Sequence, residues 1–546
     1  MKLTIWHMLV PLPFSYAQSR FEVHSLPDSA SLPPSWAGRF PVPDTEDGNS
    51  IFFWLFQAEN VQYEDNLIIW FNGGPGCSSL IGLTTGNGPV SFSGDSARLV
   101  QNPHSWTKLG HVLYVDQPVG TGYSTASIPY PVLNNDRVTS DFAKWLRSFF
   151  SEFPHLQSKR VHLIGESYAG IYIPYFASAI VDSNNNPQRS SALIDLRSIS
   201  LGDATIGNPA ASTSATIGTF LQSHRSRLQI PDEIMSVFTQ VDQTCGFDRV
   251  LAQANQYPPP HEAIQIPGNP ENSNYKRRQQ RRSSRNRDAM MDPDQCRLNS
   301  TTADAVCSAI LNSTCFGTCA TFSTALSYLS LLTDDDDHQK KCFDMYDIRN
   351  NCDTVDPLPL LASYFSRPDV QVALNLLPAP SGGATAPTSF SPCNSTILDT
   401  LLFAAPPVPP AYALLPSLVT THNISLHVYA GENDMLVNHI GTELVLQNMT
   451  WNGGRGFSRG PRRVFFVHNA APEGEALASH PCGRMDGDGV DAISAIAACA
   501  LDPAVAGMWV SERGVTYHLF RGAGHTVFVK KPREMFSYVR DVVLAD

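Results

Sequence analysis

From Ile51 to Val181, short aromatic and β-branched runs alternate with stretches of helical period, and this alternation restricts the possible folds more than any other feature. Ile51-Phe52-Phe53-Trp54-Leu55-Phe56, Leu67-Ile68-Ile69-Trp70-Phe71 and Val112-Leu113-Tyr114-Val115 are short and continuously apolar, as buried strands are, and Val161 to Ile164 reads as a further strand. Ser140 to Phe153 places apolar residues at 142, 145, 146, 149, 150 and 153, a helical spacing, and Pro154 follows as a stop. Tyr168 to Val181 is a second helical pattern. Alternating strand and helix predict an α/β fold, with a largely parallel sheet covered by helices on both faces.

The alternation breaks between about residues 205 and 395. This region holds seven of the eleven cysteines before Cys393, many prolines, an acidic run at Asp334–Asp337 and a basic stretch from Lys276 to Arg287. It reads as an inserted, disulfide-rich cap subdomain with a basic linker near 270–292. Strand-like runs resume at Leu426–Tyr429, Val464–Val467 and Val515–Leu519, and Pro532 to Leu544 reads as a closing helix with Pro at its start. The chain of 546 residues therefore divides into a core part at 18–204, the cap at 205–395 and a second core part at 396–546. The dibasic sites at 276–282 raise the further expectation of proteolytic nicking into two disulfide-held chains.

The N-terminus has the pattern of a signal peptide over residues 1–17. Lys2 is followed by a mostly apolar stretch from Leu3 to Tyr16, interrupted by Pro11 and Pro13, and Ser15-Tyr16-Ala17 supplies small residues for cleavage. No later segment is long and apolar enough to predict a membrane span. Secretory passage suits two further features. Eleven cysteines read as a disulfide set with one left over. Five sequons, at Asn299, Asn312, Asn394, Asn423 and Asn448, mark candidate glycosylation sites. A net charge of -12 argues against a nucleic-acid partner, since phosphate binding needs clustered Lys and Arg. Cys315 and Cys319 have half the spacing of a zinc site, but no matching Cys/His pair stands nearby.

Gly165-Glu166-Ser167-Tyr168-Ala169-Gly170 follows the strand ending at Ile164 and opens a helix, the context of a nucleophile elbow. Ala169 stands where the general pattern has Gly. A serine hydroxyl is a weak nucleophile and needs a base. The chain order Ser, acid, His points to Asp434 and His525, each just beyond the carboxyl end of a strand. His525 would take the proton of Ser167, and Asp434 would fix the imidazole tautomer, with Glu432 as a rival acid. An oxyanion needs two N–H donors. One is expected from Tyr168 and the other from the Gly-rich loop Asn72-Gly73-Gly74-Pro75-Gly76-Cys77-Ser78-Ser79. Val437 and Thr526, close in sequence to the acid and base, are candidate pocket residues.

Phe71–Ser79, Gly165–Gly170 and Gly522-Ala523-Gly524-His525 resemble three signature blocks of the serine carboxypeptidases. The similarity extends to Asp116–Ser124, Met345-Tyr346-Asp347-Ile348-Arg349 and Tyr429–Asp434, and runs from about Trp36 to the C-terminus. The resemblance implies an α/β-hydrolase fold and release of single residues from peptide C-termini through an acyl-enzyme on Ser167. It implies no metal or cofactor and a secreted or vacuolar/lysosomal setting. It places the oxyanion donors on Gly74 and Tyr168, substrate-carboxylate recognition on Asn72 and Glu166, and a disulfide between Cys77 and Cys393. An acyltransferase or esterase on the same triad is the alternative. The sequence departs from the family where a second glutamate is expected, because that segment reads Gly86-Asn87-Gly88-Pro89. Two carboxyl groups in contact cannot both ionise, so losing one predicts a weaker upward pKa shift of Glu166 and a less acidic optimum. Restoring Glu at 86 would then move the pH profile to lower pH.

Overall fold

The computed structural model describes residues 19–94, 96–131, 133–186, 193–267, 298–311, 319–332, 342–378, 389–404, 406–461, 463–466 and 505–545. The expected signal peptide, the basic stretch 276–287 and Asn312 lie outside the described residues. The strands are β1 (Ser35–Pro41), β2 (Ser50–Phe56), β3 (Asn66–Phe71), β4 (Val90–Ser93), β5 (Ser96–Gln101), β6 (His111–Asp116), β7 (Arg160–Glu166), β8 (Asp195–Gly202), β9 (Ser425–Gly431), β10 (Thr450–Trp451), β11 (Gly454–Arg455), β12 (Arg463–Phe466), β13 (Val505–Glu512) and β14 (Val515–Phe520). Ten form one sheet in the order β1-β2-β6-β3-β7-β8-β9-β14-β13-β12. Its central run from β6 to β14 is parallel throughout, and antiparallel strands finish both edges.

The expected α/β-hydrolase class, with a mostly parallel central sheet, is the observed one. β3 shows why its run is apolar without interruption. Leu67, Ile69 and Phe71 enter the hydrophobic cluster on one face of the sheet, and Ile68 and Trp70 enter the cluster on the other. A strand covered on both faces has no solvent side to keep polar. The helix Asn135–Glu152 starts five residues before the expected Ser140, because the Asn134 side chain caps it by accepting the Arg137 N–H at 2.8 Å. Its stripe of Phe142, Trp145 and Phe149 is buried, and Phe142 stacks on Phe176 of the helix Ala169–Asn185 at 4.0 Å between ring centroids.

Among the described residues, the stretch between β8 and β9 adds no strand to the sheet. Its helices Ile217–Ser223, Asp232–Cys245, Ala303–Leu311 and Thr321–Leu331 build a separate hydrophobic cluster, which Met435 joins. Cys319 is bonded to Cys245, which removes it from any zinc site, and Cys342 is bonded to Cys352. Leu361, Tyr364, Phe365 and Phe390, within the 205–395 stretch, share a cluster with Phe52, Trp54 and Tyr114 of the sheet.

Candidate active site

Parallel strands bring their carboxyl ends to one edge of the sheet, and the chemistry-bearing residues collect there. β3 delivers Asn72, β7 ends on Glu166 and leads into Ser167, β9 leads to Asp434, and β14 leads to His525. Ser167 has a positive φ of 59°, a conformation unusual for a non-glycine residue. The surroundings hold it there: Ser167 N–H donates to Gly202 O at 2.9 Å, and its carbonyl accepts from Thr205 N at 3.0 Å.

His525 Nδ1 lies 2.7 Å from Asp434 Oδ2, and both side chains are buried. The other carboxylate oxygen, Oδ1, accepts the backbone N–H groups of Leu436 at 2.8 Å and Val437 at 3.3 Å. Burial disfavours the imidazolium of His525, but the Asp434 carboxylate against Nδ1 outweighs it and holds the pKa above the usual histidine range. Glu432, the rival acid, instead accepts the Gly522 N–H at 2.9 Å and so supports the His525 loop. A hydrogen bond from Ser167 Oγ to His525 is not formed among the described residues; such contacts often close only around bound substrate.

Asn72 and Glu166 meet, with Asn72 Nδ2 donating to Glu166 Oε1 at 3.0 Å. Trp70 Nε1 and Gly82 N–H both donate to Asn72 Oδ1, at 2.8 and 3.0 Å, which fixes which end of the amide faces the glutamate. Glu166 Oε2 is buried and accepts no hydrogen bond among the described residues. Burial pushes the carboxyl of Glu166 up to about 7; the Asp434 charge adds to the rise, while His525 and the Asn72 bond oppose it. The rise therefore comes chiefly from burial, with no second acid at 86.

The Gly-rich loop lies directly on the elbow. A Cβ at Gly73 would stand 2.6 Å from Tyr168 N and 2.8 Å from Ser167 Cβ, so only glycine permits this approach. Gly74 has φ +107°, and Tyr168 immediately precedes the helix Ala169–Asn185. Cys77 is joined to Cys393, and backbone bonds flank the junction, from Ser78 N to Pro392 O at 2.7 Å and from Asn394 N to Gly76 O at 2.9 Å. Val437 is buried and its N–H bonds Asp434, and Thr526 immediately precedes the short helix Val527–Lys530.

Two supports went unassigned at the level of sequence. Asp116, at the end of β6, accepts from Ser78 Oγ at 2.7 Å, Ser79 N at 2.9 Å and Tyr123 N at 3.0 Å, anchoring the Gly-rich loop. Burial lifts its carboxyl to about 6. The segment 345–348 splints the acid and base loops together. Met345 O accepts from Met435 N, Tyr346 O accepts from His525 N at 2.7 Å, and Ile348 N donates to Asn433 O. The Asp116 and Met345 blocks were visible as motifs, but their roles depend on partners far away in the chain.

Residues 34–545 match the family described as serine carboxypeptidase. A "Carboxypeptidase Y homolog" from Arthroderma benhamiae is 42% identical over 530 residues, spanning 96% of this chain and 94% of that protein. A "Pheromone-processing carboxypeptidase kex1" from Aspergillus fumigatus is 28% identical over 528 residues, 94% of this chain and 66% of that one. The crystal structure of a prohormone-processing carboxypeptidase from Saccharomyces cerevisiae superposes with a TM-score of 0.66 at 19% identity, covering 96% of both chains. At that identity the superposition speaks for the fold.

Proposed function

This chain belongs to the serine carboxypeptidase family, and from that membership we propose how its residues divide the work of releasing C-terminal residues from peptides. Ser167 is the nucleophile that attacks the scissile carbonyl. His525 takes the hydroxyl proton and later returns it to the leaving amine, so the acyl-enzyme forms and is then hydrolysed by water. Asp434 holds Nδ1 protonated and stabilises the imidazolium. The N–H groups of Gly74 and Tyr168 receive the oxyanion.

Exopeptidase selectivity falls to Asn72 and Glu166. Below about pH 7 the Glu166 carboxyl is neutral and can donate to the substrate carboxylate, which would otherwise meet a like charge. The buried Glu166 Oε2, with no donor of its own, supports this reading. The helical stretch after β8, with its own hydrophobic cluster, is read as the cap over the site. Disulfides at Cys77–Cys393, Cys245–Cys319 and Cys342–Cys352 favour a secretory-pathway setting, secreted or vacuolar. No helix among the described residues is long and apolar enough to cross a membrane.

The observation that carries the proposal is the buried His525–Asp434 pair at 2.7 Å, together with a serine held at positive φ at the end of β7. The test is a timed digest of a peptide library read by mass spectrometry, with the Ser167→Ala variant and fluorophosphonate labelling in parallel. Loss of single C-terminal residues is expected, with a drop of about 10⁴-fold or more in Ser167→Ala. Internal cleavage, or an active Ser167→Ala variant, overturns the assignment. Faster transfer to an added alcohol than to water, from an activated ester, would favour the acyltransferase alternative.

A further inference from the structure

A surface cavity of about 460 Å³ is walled by the β10–β11 hairpin, the end of the helix His439–Asn448 and the segment 263–266. Its volume is that of a small-molecule site, and none of Asn72, Glu166, Ser167, Asp434 or His525 lines it. One side chain builds its polar end. Asn448 Oδ1 accepts the Ile264 N–H at 2.8 Å, and Asn448 Nδ2 donates to Ile264 O at 3.1 Å, so the segment 263–266 is tied down across the helix end. The same Oδ1 accepts from Arg455 Nη1 at 3.0 Å, which fixes the guanidinium in the wall.

That bond is the one hydrogen bond Arg455 makes among the described residues. It enters no ion pair there, and its Nε is buried without an acceptor. Other arginines of the chain are spent differently. Arg513, from the β13–β14 turn, donates to Trp451 O and Gly456 O of the same hairpin and pairs with Glu512 at 3.6 Å. Arg349, Arg367 and Arg540 each lay the edge formed by Nε and Nη2 on an aspartate, with both contacts between 2.6 and 3.1 Å. Arg455 has no such acid, for no residue lining the cavity is acidic and Arg455 is the only charged one. A half-buried cation without a counter-charge attracts an anion, and a planar guanidinium suits a carboxylate. The remaining walls are apolar: Ile264, Ile266, Pro416 and the ring of Tyr412. They favour an apolar body behind the carboxylate. With no acid present, nothing receives an ammonium group, which disfavours a free amino acid.

We propose that this cavity is a second binding site, which takes a small organic carboxylate with an apolar body and no positive charge. The carboxylate pairs with the Arg455 guanidinium, and the body rests on Ile264, Ile266, Pro416 and Tyr412. The site goes beyond the peptidase reading and does not depend on it, since it shares no residue with the groups assigned to hydrolysis.

The probe is 4-bromobenzoate, with 4-bromobenzamide as its neutral counterpart. Anomalous scattering from bromine in soaked crystals locates the probe, and calorimetry on the full chain measures binding in solution. The expected results are a bromine peak in the cavity and a binding event that the amide does not reproduce. Arg455→Gln should weaken that event about 10-fold or more, the effect of losing a charge-assisted pair. Ile266→Trp, which fills the cavity and leaves Arg455 in place, should abolish it. Hydrolysis of a blocked ester, close to wild type in both variants, reports that they are folded; the comparison of acid with amide and the bromine position need no variant. Any of four results would overturn the proposal: equal affinity for the amide, unchanged affinity in folded Arg455→Gln, displacement of the probe by equimolar inorganic phosphate, or a bromine peak without binding in solution. Bromine found only beside Asn72 and Glu166 would overturn it as well and leave the peptidase reading untouched.

Discussion

Gly86 packs against Phe528 so closely that a Cβ at position 86 would stand 2.8 Å from the Phe528 ring and 2.9 Å from its carbonyl oxygen. The φ of Gly86, 175°, is open to any residue, so space and not backbone conformation excludes a side chain. Phe528 lies in the short helix that begins two residues after His525. The absence of an acid at 86 is therefore built into the packing around the His525 loop.

The first prediction follows from that contact and revises the expectation that Glu at 86 simply shifts the pH profile. Gly86→Ala should lower stability by about 1–3 kcal/mol, the usual range for overpacking a filled core. Gly86→Glu should lose more, and lose activity through displacement of Phe528 before any tuning of Glu166 is seen. Thermal unfolding of both variants checks this; an unchanged melting temperature for Gly86→Ala would mean the loop yields freely.

Glu166 should govern the pH dependence of peptide binding. With its carboxyl near 7, KM for peptides should be flat below neutral pH and rise above it. Glu166→Gln, a donor at every pH, should flatten that rise, while blocked esters should respond little in either enzyme. The same shift bears on stability. The folded pKa is raised above the ordinary value of 4.5, so the folded chain holds a proton that the unfolded chain releases. Stability is thus reduced as pH climbs from 4.5 to about 7, and Glu166→Gln should be the more stable protein at pH 8, by about 3 kcal/mol. Denaturant titrations at pH 5 and pH 8 separate the two cases.

Cys77 and Cys393 are 316 residues apart, and their bond closes a very long loop. Replacing both with Ser should cost about 2–5 kcal/mol, largely by freeing the unfolded chain. The backbone bonds Ser78 to Pro392 and Asn394 to Gly76 remain in the variant and hold the Gly-rich loop. Activity at low temperature should therefore survive within about tenfold while the melting temperature falls, a split that parallel assays would reveal.

The sequons are not equivalent in the fold. Asn448 Oδ1 accepts from Ile264 N at 2.8 Å and from Arg455 Nη1 at 3.0 Å, and its Nδ2 donates to Ile264 O at 3.1 Å. Asn394 caps the helix Ser395–Phe403, and its Nδ2 donates to Gly120 O at 2.9 Å. A glycan on either nitrogen would replace one of its two N–H groups and would have to fit against Ile264 at Asn448 or Gly120 at Asn394, where the amide is already held. Asn299 is exposed, and Asn423 sits at positive φ in a turn before β9. Glycopeptide mapping should find sugar at Asn299 and Asn423 and none at Asn448; a fully occupied Asn448 would contradict the bonding described here.

Much of the architecture was legible because burial on both faces leaves a mark in one dimension. β2, β3 and β6 are built on unbroken apolar runs, β7 on one that His162 interrupts, and the helices between them carry their stripe at helical period. β8 was not legible, since Asp195, Arg197, Ser198 and Ser200 interrupt it. Ser198 and Ser200 are nonetheless buried, hydrogen-bonded to Val543 O and to the Tyr538 hydroxyl. Tertiary partners satisfied polar groups that composition alone would assign to a loop.

What the sequence determined by itself is the set of candidate reactive groups and their order: an elbow serine, an acid and a histidine, each at a strand end, with a glycine loop to approach them. These are local features, written in short motifs and periodicities. The tertiary structure alone decided how those groups are held and charged. It put Phe528 against Gly86, Asp116 under the Gly-rich loop and Tyr346 across His525. Electrostatics and close packing depend on distances through space, and residues that meet across hundreds of positions leave no pattern in the chain that joins them.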